Sequence, residues 1–167
     1  MPKTYNLSYM YKVFRENTTQ IKNTKILKEY MYGGKGVIEL VSPSGKKHDY
    51  LFAKPTKINF FPDDVIFVYA LHEDRTLFYV GMLEQGCFKL TKSSRFLPDT
   101  EIVRGAEYII KLAEVPGLIE TSKMKVYNLG MCARCGRPLK GEEQLLKGYG
   151  NKCYDKMMKQ YCWDDES

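Results

Sequence analysis

Three cysteines near the end of the chain have the spacing of a metal site. Cys132 and Cys135 form a C-x-x-C pair, and Cys153 follows a Gly-Tyr-Gly turn, as in the second half of a zinc finger. This spacing brings two sulfurs within reach of one ion, and Gly136 permits a tight turn that points backbone N–H groups at them. Because thiolates are soft ligands that zinc binds tetrahedrally, the sequence predicts a Zn²⁺ site. The alternatives are an inert pair or a redox pair, and the lack of a βαβ pattern disfavours the redox pair.

The fourth zinc ligand is open in the sequence. The first candidate is Cys162, but the segment from Asn151 to Gln160, which contains Cys153, has helical periodicity. Nine residues of unbroken helix rise about 13.5 Å, whereas two sulfurs on one zinc lie at most about 4.6 Å apart. Cys162 can therefore join Cys153 only if the helix breaks, and otherwise it is a free thiol in the tail. The other candidates are water and four side chains: His48, His72, Cys87 and Asp155.

The composition is that of a globular protein. The 167 residues are 44% apolar and 13% aromatic, which is enough for one packed domain with a small appendage. No apolar run approaches the length of about 18 residues that a membrane helix needs, and the start of the chain lacks the apolar region of a signal peptide. Five cysteines, including a C-x-x-C pair, suit a reducing compartment. We therefore expect a cytoplasmic location and no membrane partner.

The basic excess is concentrated in the first part of the chain. The net charge is +6, and the first 60 residues hold 11 basic and 4 acidic side chains, whereas the other 107 hold 15 and 16. Lys22, Lys25 and Lys28 lie in this basic part and are predicted to contact a partner, through phosphate or an acidic protein face. The alternative is that these lysines only keep the protein soluble, because they are spread out and not clustered in a run.

The segment from Lys35 to Leu90 has the pattern of an antiparallel β-meander. Short apolar or alternating runs are separated by turn residues, of which the turn that begins at Ser42 is typical. The run from Val65 to Leu71 is apolar throughout, which predicts an interior strand covered on both faces. The predicted strands are Gly36–Val41, His48–Ala53, Val65–Leu71, Thr76–Leu83 and Cys87–Leu90.

One main helix is predicted after the meander. Asp99 or Thr100 can cap its start, and Pro116 ends it. Its apolar residues recur at helical spacing and form one stripe for packing across the sheet. The stripe consists of Ile102, Ala106, Ile109, Ile110 and Ala113. Beyond the helix, Met124, Val126 and Leu129 are expected either to add a last strand or to dock onto the sheet.

The first 34 residues are harder to assign. They show an alternating pattern over 5–13 and a weak helical pattern from Ile21 to Tyr32, which Gly33 and Gly34 end. The predicted fold is therefore α+β, an antiparallel β-meander with one main helix plus a small C-terminal zinc finger. We place the α+β domain in residues 1–124, and the finger with its short helix in residues 125–167.

The motifs of common enzymes are absent from the sequence. The glycines from Gly33 to Gly36 lack P-loop spacing and precede a strand. His48 and His72 lie in neither an H-x-E nor an H-E-x-x-H context, which disfavours a zinc hydrolase or deaminase. A metal bound by three thiolates and a fourth protein group leaves no position for a substrate, so the metal is expected to be structural. We therefore expect a protein that is not an enzyme.

The cysteine region resembles a family of small zinc-finger proteins from bacteriophages and their bacterial hosts. Cys-Ala-Arg-Cys-Gly-Arg-Pro-Leu from Cys132, followed by Gly-Tyr-Gly-Asn-Lys-Cys ending at Cys153, is similar to the C-x-R-C-G-R-x-L and G-[IY]-G-x-x-C stretches of that family. Cys132, Cys135 and Cys153 match this pattern, whereas Cys162 lies outside it. The family carries no established activity, so the resemblance implies a phage-type zinc protein and no reaction.

Two functions follow as expectations. The first, favoured by the resemblance, is a non-enzymatic zinc protein that inhibits host defence machinery through a host protein or nucleoprotein complex, such as an RNA-guided CRISPR nuclease; it would then be an anti-CRISPR protein. A tyrosine-rich surface suits such binding. The alternative is a zinc-finger protein that binds nucleic acid through its basic N-terminal third, with five tyrosines as stacking faces. These are Tyr5, Tyr9, Tyr11, Tyr30 and Tyr32.

Overall fold

A computed structural model describes residues 17–54, 65–73 and 76–165, with side chains as far as residue 159. These residues form an α+β fold built on one seven-stranded antiparallel sheet. The alternating pattern over 5–13 lies outside the described residues. The strands are β1 (Thr19–Ile21), β2 (Lys35–Val41), β3 (Lys47–Ala53), β4 (Val65–Leu71), β5 (Leu77–Glu84), β6 (Cys87–Lys89) and β7 (Lys125–Asn128). The helices are α1 (Thr24–Met31), α2 (Glu101–Glu114), α3 (Leu118–Thr121), α4 (Gly141–Lys147) and α5 (Asn151–Asp165).

The strands from β2 to β6 form the predicted meander. The order across the sheet is β1-β7-β2-β3-β4-β5-β6, so consecutive strands from β2 to β6 pair with one another. All seven residues of β4 are buried, which confirms that this strand is covered on both faces. One β-bulge interrupts the pairing of β4 and β5 between Val68 and Tyr69. The predicted meander is therefore confirmed, with strand ends within one residue of those predicted.

Strand β7 lies inside the sheet and not in a separate unit. It pairs with β1 on one side and with β2 on the other, so that Ile38 and Thr19 both lie opposite Asn128. Residues 125–128, which the sequence analysis assigned to the C-terminal unit, thus belong to the sheet. β1 and helices α3 and α4 were missed, because three- to seven-residue elements give little periodicity to read. The division at residue 124 stays a prediction about what can fold alone.

Helix α2 packs on one face of the sheet as expected. Thr100 caps it by accepting a hydrogen bond from the backbone N–H of Val103. Gly105 lets the helix approach β3 closely, because a Cβ at this position would lie 2.2 Å from the hydroxyl oxygen of Tyr50. That hydroxyl in turn donates to the backbone carbonyl of Ile102 at 2.7 Å. The glycine and the tyrosine together fix how closely the main helix approaches the sheet.

The two faces of the sheet carry separate apolar clusters. The first cluster joins α1, α2, the sheet and residues of the cysteine region such as Cys132 and Tyr149. The second covers the opposite face and includes Leu51, Phe67 and Tyr79. The sheet is therefore buried on both sides. No helix among the described residues is long and apolar enough to cross a membrane.

Helix α1 connects the sheet to the cysteine region. Asn23 caps its start, and Leu27, Tyr30 and Met31 are fully buried. The hydroxyl of Tyr30 donates to the backbone carbonyl of Met131, with 2.6 Å between the oxygens. Burial raises the pKa of Tyr30 far above its ordinary value, so this hydroxyl remains a neutral donor. The side chain of Tyr30, in the first third of the chain, thereby fixes the backbone just before Cys132.

We predict that Tyr30→Phe lowers the free energy of unfolding by about 1–3 kcal/mol, because it leaves the buried carbonyl of Met131 without this donor. Urea denaturation measures the change. Tyr127→Phe is the control, since its half-buried hydroxyl makes no hydrogen bond within the described part of the chain. Equal stabilities of the Tyr30 variant and the wild type would contradict the prediction.

Candidate metal centre

Three cysteine sulfurs converge at one point next to the sheet. The Sγ atoms of Cys132, Cys135 and Cys153 all lie within 4.8 Å of one another. Cys132 is buried, whereas Cys135 and Cys153 are half-buried. Two sulfurs on one zinc are at most about 4.6 Å apart, which is close to this 4.8 Å limit. The three cysteines can therefore hold one metal ion, as their spacing in sequence predicted.

A tight hairpin positions the first two sulfurs. We call residues 130–139 the knuckle. It is closed at its base by a hydrogen bond from the Leu139 N–H to the Gly130 carbonyl at 2.8 Å. The N–H of Cys132 donates to the Arg137 carbonyl at 2.9 Å, and that of Gly136 donates to the Cys132 carbonyl at 3.0 Å. Gly136 has φ +79°, a left-handed conformation that glycine adopts without strain. The predicted turn is thus present.

The third sulfur comes from the start of helix α5. Gly148 ends α4 with φ +80°, and α5 begins at Asn151, which leaves Cys153 in its first turn. Just before this helix, the N–H of Gly150 donates to the Cys132 Sγ at 3.4 Å. The short α4–α5 connection therefore provides both a ligand and a donor to another ligand.

The electrostatics of the cluster favour a bound cation. Burial acts to raise the pKa of the Cys132 thiol, but the N–H groups of Cys135, Gly150 and Arg134 outweigh it and leave this pKa below its usual value. Burial, followed by the negative charge of the Cys132 thiolate, raises the pKa of Cys153 to about 11. One thiolate is thus stabilised by backbone donors, whereas a second one nearby needs positive charge. A metal ion supplies that charge.

The knuckle packs on the turn between α1 and β2, and we call this contact the seat of the knuckle. The N–H of Lys35 donates to the Ala133 carbonyl at 2.6 Å, and the hydroxyl of Tyr149 donates to the Glu29 carbonyl. A Cβ on Gly33 would lie 2.7 Å from the Ala133 Cβ, from the Ala133 carbonyl oxygen and from the Tyr149 hydroxyl. Only a glycine allows this approach. The metal centre is therefore built against the first third of the chain.

Comparison of the chain with protein-family models, with curated proteins and with solved structures finds no match. No family membership is shown. The resemblance to phage-type zinc-finger proteins remains an expectation that rests on the cysteine motif.

The other candidates for the fourth ligand lie apart from the three sulfurs. His48 Nε2 is 3.5 Å from a carboxylate oxygen of Glu101, and the ring of His72 packs against Phe78 with 4.6 Å between centroids. Cys87 is exposed on the edge strand β6. None of these three side chains, nor Asp155, belongs to the sulfur group.

Cys162 stays a predicted ligand, because its side chain lies outside the described residues. The backbone of α5 continues without a break from Asn151 to Asp165. This is the arrangement in which Cys162, nine residues beyond Cys153, would be displaced by about 13.5 Å along the helix axis. Among the residues whose side chains the structure describes, no fourth cysteine, histidine or carboxylate joins the three sulfurs.

The three lysines predicted to contact a partner are exposed but differ in their surroundings. Lys22 lies between β1 and α1, and Lys25 and Lys28 lie on α1. The ammonium group of Lys28 is 3.4 Å from a carboxylate oxygen of Glu114, whereas Lys22 and Lys25 make no ion pair within the described part of the chain. The role of these lysines in binding stays a prediction.

The sequence does not predict the seat of the knuckle. Its pattern predicts that Gly33 and Gly34 end a helix, and the nucleic-acid alternative uses Tyr30 as a stacking face. In the structure Tyr30 is fully buried, so this part of the alternative is wrong. Adjacent glycines before a strand are an available signal for close backbone approach, but the sequence does not identify which segment approaches.

We predict that Gly33→Ala lowers the free energy of unfolding by about 1–3 kcal/mol, because the added methyl group overpacks the seat of the knuckle. The matched control is Gly150→Ala, since Gly150 has open space at its Cβ position and lies beside Cys132. The control should change stability by no more than about 0.5 kcal/mol. Similar urea midpoints for the two variants would show that the seat tolerates the methyl group.

Proposed function

We propose that this chain is a zinc protein that acts by binding and not by catalysis, with Zn²⁺ as a structural ion. The observation that carries the proposal is the convergence of three cysteine sulfurs within 4.8 Å, one of them already accepting a backbone N–H. Zinc is the metal that such thiolate sets bind in C-x-x-C knuckles, with four-coordinate geometry.

A structural role is supported by how the cysteines are embedded. Cys132 and Ala133 are buried in the apolar cluster that also contains α1 and α2, and Tyr149 and Met157 extend the same cluster. The ion would thus join two chain segments whose side chains pack together. This is the arrangement of structural zinc sites, in which ligation energy is used to order a short segment.

The proposed action is inhibition of host defence machinery through a protein or nucleoprotein partner in the host cytoplasm. This part of the proposal rests on the resemblance to phage-type zinc-finger proteins. The direct experiment adds the purified protein to a cleavage assay with an RNA-guided CRISPR nuclease, with Cys135→Ser as the metal-deficient control. Inhibition by the wild type that the variant lacks would support the proposal. Unchanged cleavage at a large molar excess of the protein, across representatives of the nuclease classes, would contradict it.

A second candidate function is nucleic-acid binding through the basic first third. Lys22 and Lys25 are exposed and make no ion pair within the described residues, which leaves their charge available to phosphate.

We predict that Lys22→Glu, Lys25→Glu and Lys28→Glu together weaken partner binding at low salt, where such contacts are strongest. Equal affinity of the triple variant and the wild type would mean that these lysines only solubilise the protein.

We predict about one zinc ion per chain in the purified protein, and its loss in Cys135→Ser. Element-specific mass spectrometry identifies the metal, and Cys87→Ser is the control, because that exposed cysteine lies outside the sulfur group. Iron or copper in place of zinc would overturn the assignment of the metal. A protein without any metal and with three freely titrating thiols would overturn the site itself.

We also predict which segments lose amide protection when the metal is removed. Because Tyr30 and Tyr149 hydrogen-bond across the seat of the knuckle, removing the metal should lower amide protection in α1 as well as in residues 130–159. The central strands β3, β4 and β5 should keep their protection. Hydrogen exchange of Cys135→Ser, read by mass spectrometry, measures this. Loss confined to the residues after β7 would show that α1 does not depend on the metal.

A further inference from the structure

The surface around the metal centre carries a group of cations. Seven basic and three acidic side chains lie in residues 131–159, an excess of four. One of the acidic residues, Glu143, already pairs with Lys147 at 2.9 Å. The other six cations are exposed, and five of them lie within the knuckle or on α5; we call these five the rim cations. They are Arg134, Arg137, Lys152, Lys156 and Lys159.

The metal centre brings these cations together from two parts of the chain. Arg134 directly precedes Cys135, and Lys152 directly precedes Cys153. The Sγ atoms of those two cysteines are within 4.8 Å of each other, so the backbone segments that carry Arg134 and Lys152 meet at the sulfur cluster. Neighbouring Cα atoms are about 3.8 Å apart, so both cations start within a few ångströms of a ligand.

The three lysines of α5 form one row. With about 100° of rotation per residue, Lys152, Lys156 and Lys159 fall within an arc of about 60°. Along the axis they span about 10.5 Å. All three are exposed, and the apolar residue Met157 lies on the buried side of the same helix. The row thus faces solvent and continues away from the knuckle.

None of the rim cations is neutralised within the part of the chain that the structure describes. Elsewhere Lys28, Lys46 and Lys89 each pair with a glutamate. The rim cations form no such pair. Asp155 lies next to the row and makes no ion pair with it.

We propose that the rim cations form a binding surface for the phosphate backbone of a nucleic acid. A polynucleotide carries its charge as a line of phosphates, which an extended row of unpaired cations can follow. Arg134 and Arg137 add guanidinium groups, whose planar forks match phosphate oxygens. This inference deepens the second candidate function and rests on it, but it moves the contact surface from the first third of the chain to the metal centre.

The test measures binding of the zinc-loaded protein to a mixed-sequence single strand of about 20 nucleotides, at about 50 and 200 mM salt. The variant combines Arg134→Gln, Lys152→Gln and Lys156→Gln. Loss of three phosphate contacts should lower affinity at least about tenfold at the lower salt and reduce the salt slope by about 2. The matched control, Lys92→Gln with Arg104→Gln and Lys123→Gln, also removes one arginine and two lysines from exposed positions. The control should bind as the wild type does.

The outcomes separate failure of the rim-cation surface from failure of the second candidate function, nucleic-acid binding. If the wild type binds and only the triple variant of the first third is weakened, the rim surface is wrong and the second candidate function stands. If the wild type does not bind the strand at either salt concentration, both are wrong. If polyglutamate binds with the same affinity and the same dependence on the rim cations, the surface recognises acidic protein and the proposal is overturned. Metal content, measured for every variant, shows that a loss of binding does not come from a lost knuckle.

Discussion

The seat of the knuckle on the α1–β2 turn is the contact on which the architecture depends. Two tyrosine hydroxyls donate across it. The hydroxyl of Tyr30 donates to the Met131 carbonyl, and that of Tyr149 donates to the Glu29 carbonyl. Gly33 provides the space between them, because any side chain there would meet Ala133. The segment after β7, the three cysteines and α1 therefore position one another. A small displacement of any of the three would open the buried surface that they share.

The order of the strands connects this contact to the sheet. β7 pairs with both β1 and β2, and it leads within a few residues into the first cysteine. Its Asn128 is buried and donates from its side chain to the Leu145 carbonyl at 2.8 Å, which connects the sheet to α4. The same side chain accepts from the N–H of Gly130 at 2.8 Å, where the knuckle begins. Sheet and cysteine region are thus joined by hydrogen bonds and not only by chain connectivity.

The meander and the cysteine cluster could be predicted from sequence because their signals are local. The alternation of β2 and β3, the apolar run of β4 and the C-x-x-C spacing each lie within one element. The position of β7 between β1 and β2 could not, since it depends on pairing between residues about 100 positions apart. Tyr30 illustrates the difference: its helical spacing indicated an apolar face, but nothing local indicated that its hydroxyl reaches Met131.

A structural metal bound by the three cysteines would also stabilise the sheet. Binding of structural zinc to a small finger releases about 10–16 kcal/mol, which is comparable to the whole stability of a typical domain, about 5–15 kcal/mol. In an isolated finger that energy orders only the finger. Here Cys132 and Tyr149 belong to the apolar cluster that covers one face of the sheet, so ligation also favours the burial of α1. The reverse holds by linkage: packing that fixes Cys132 beside the Gly150 N–H preorganises the site and strengthens metal binding. The fold and the metal centre are expected to stabilise each other.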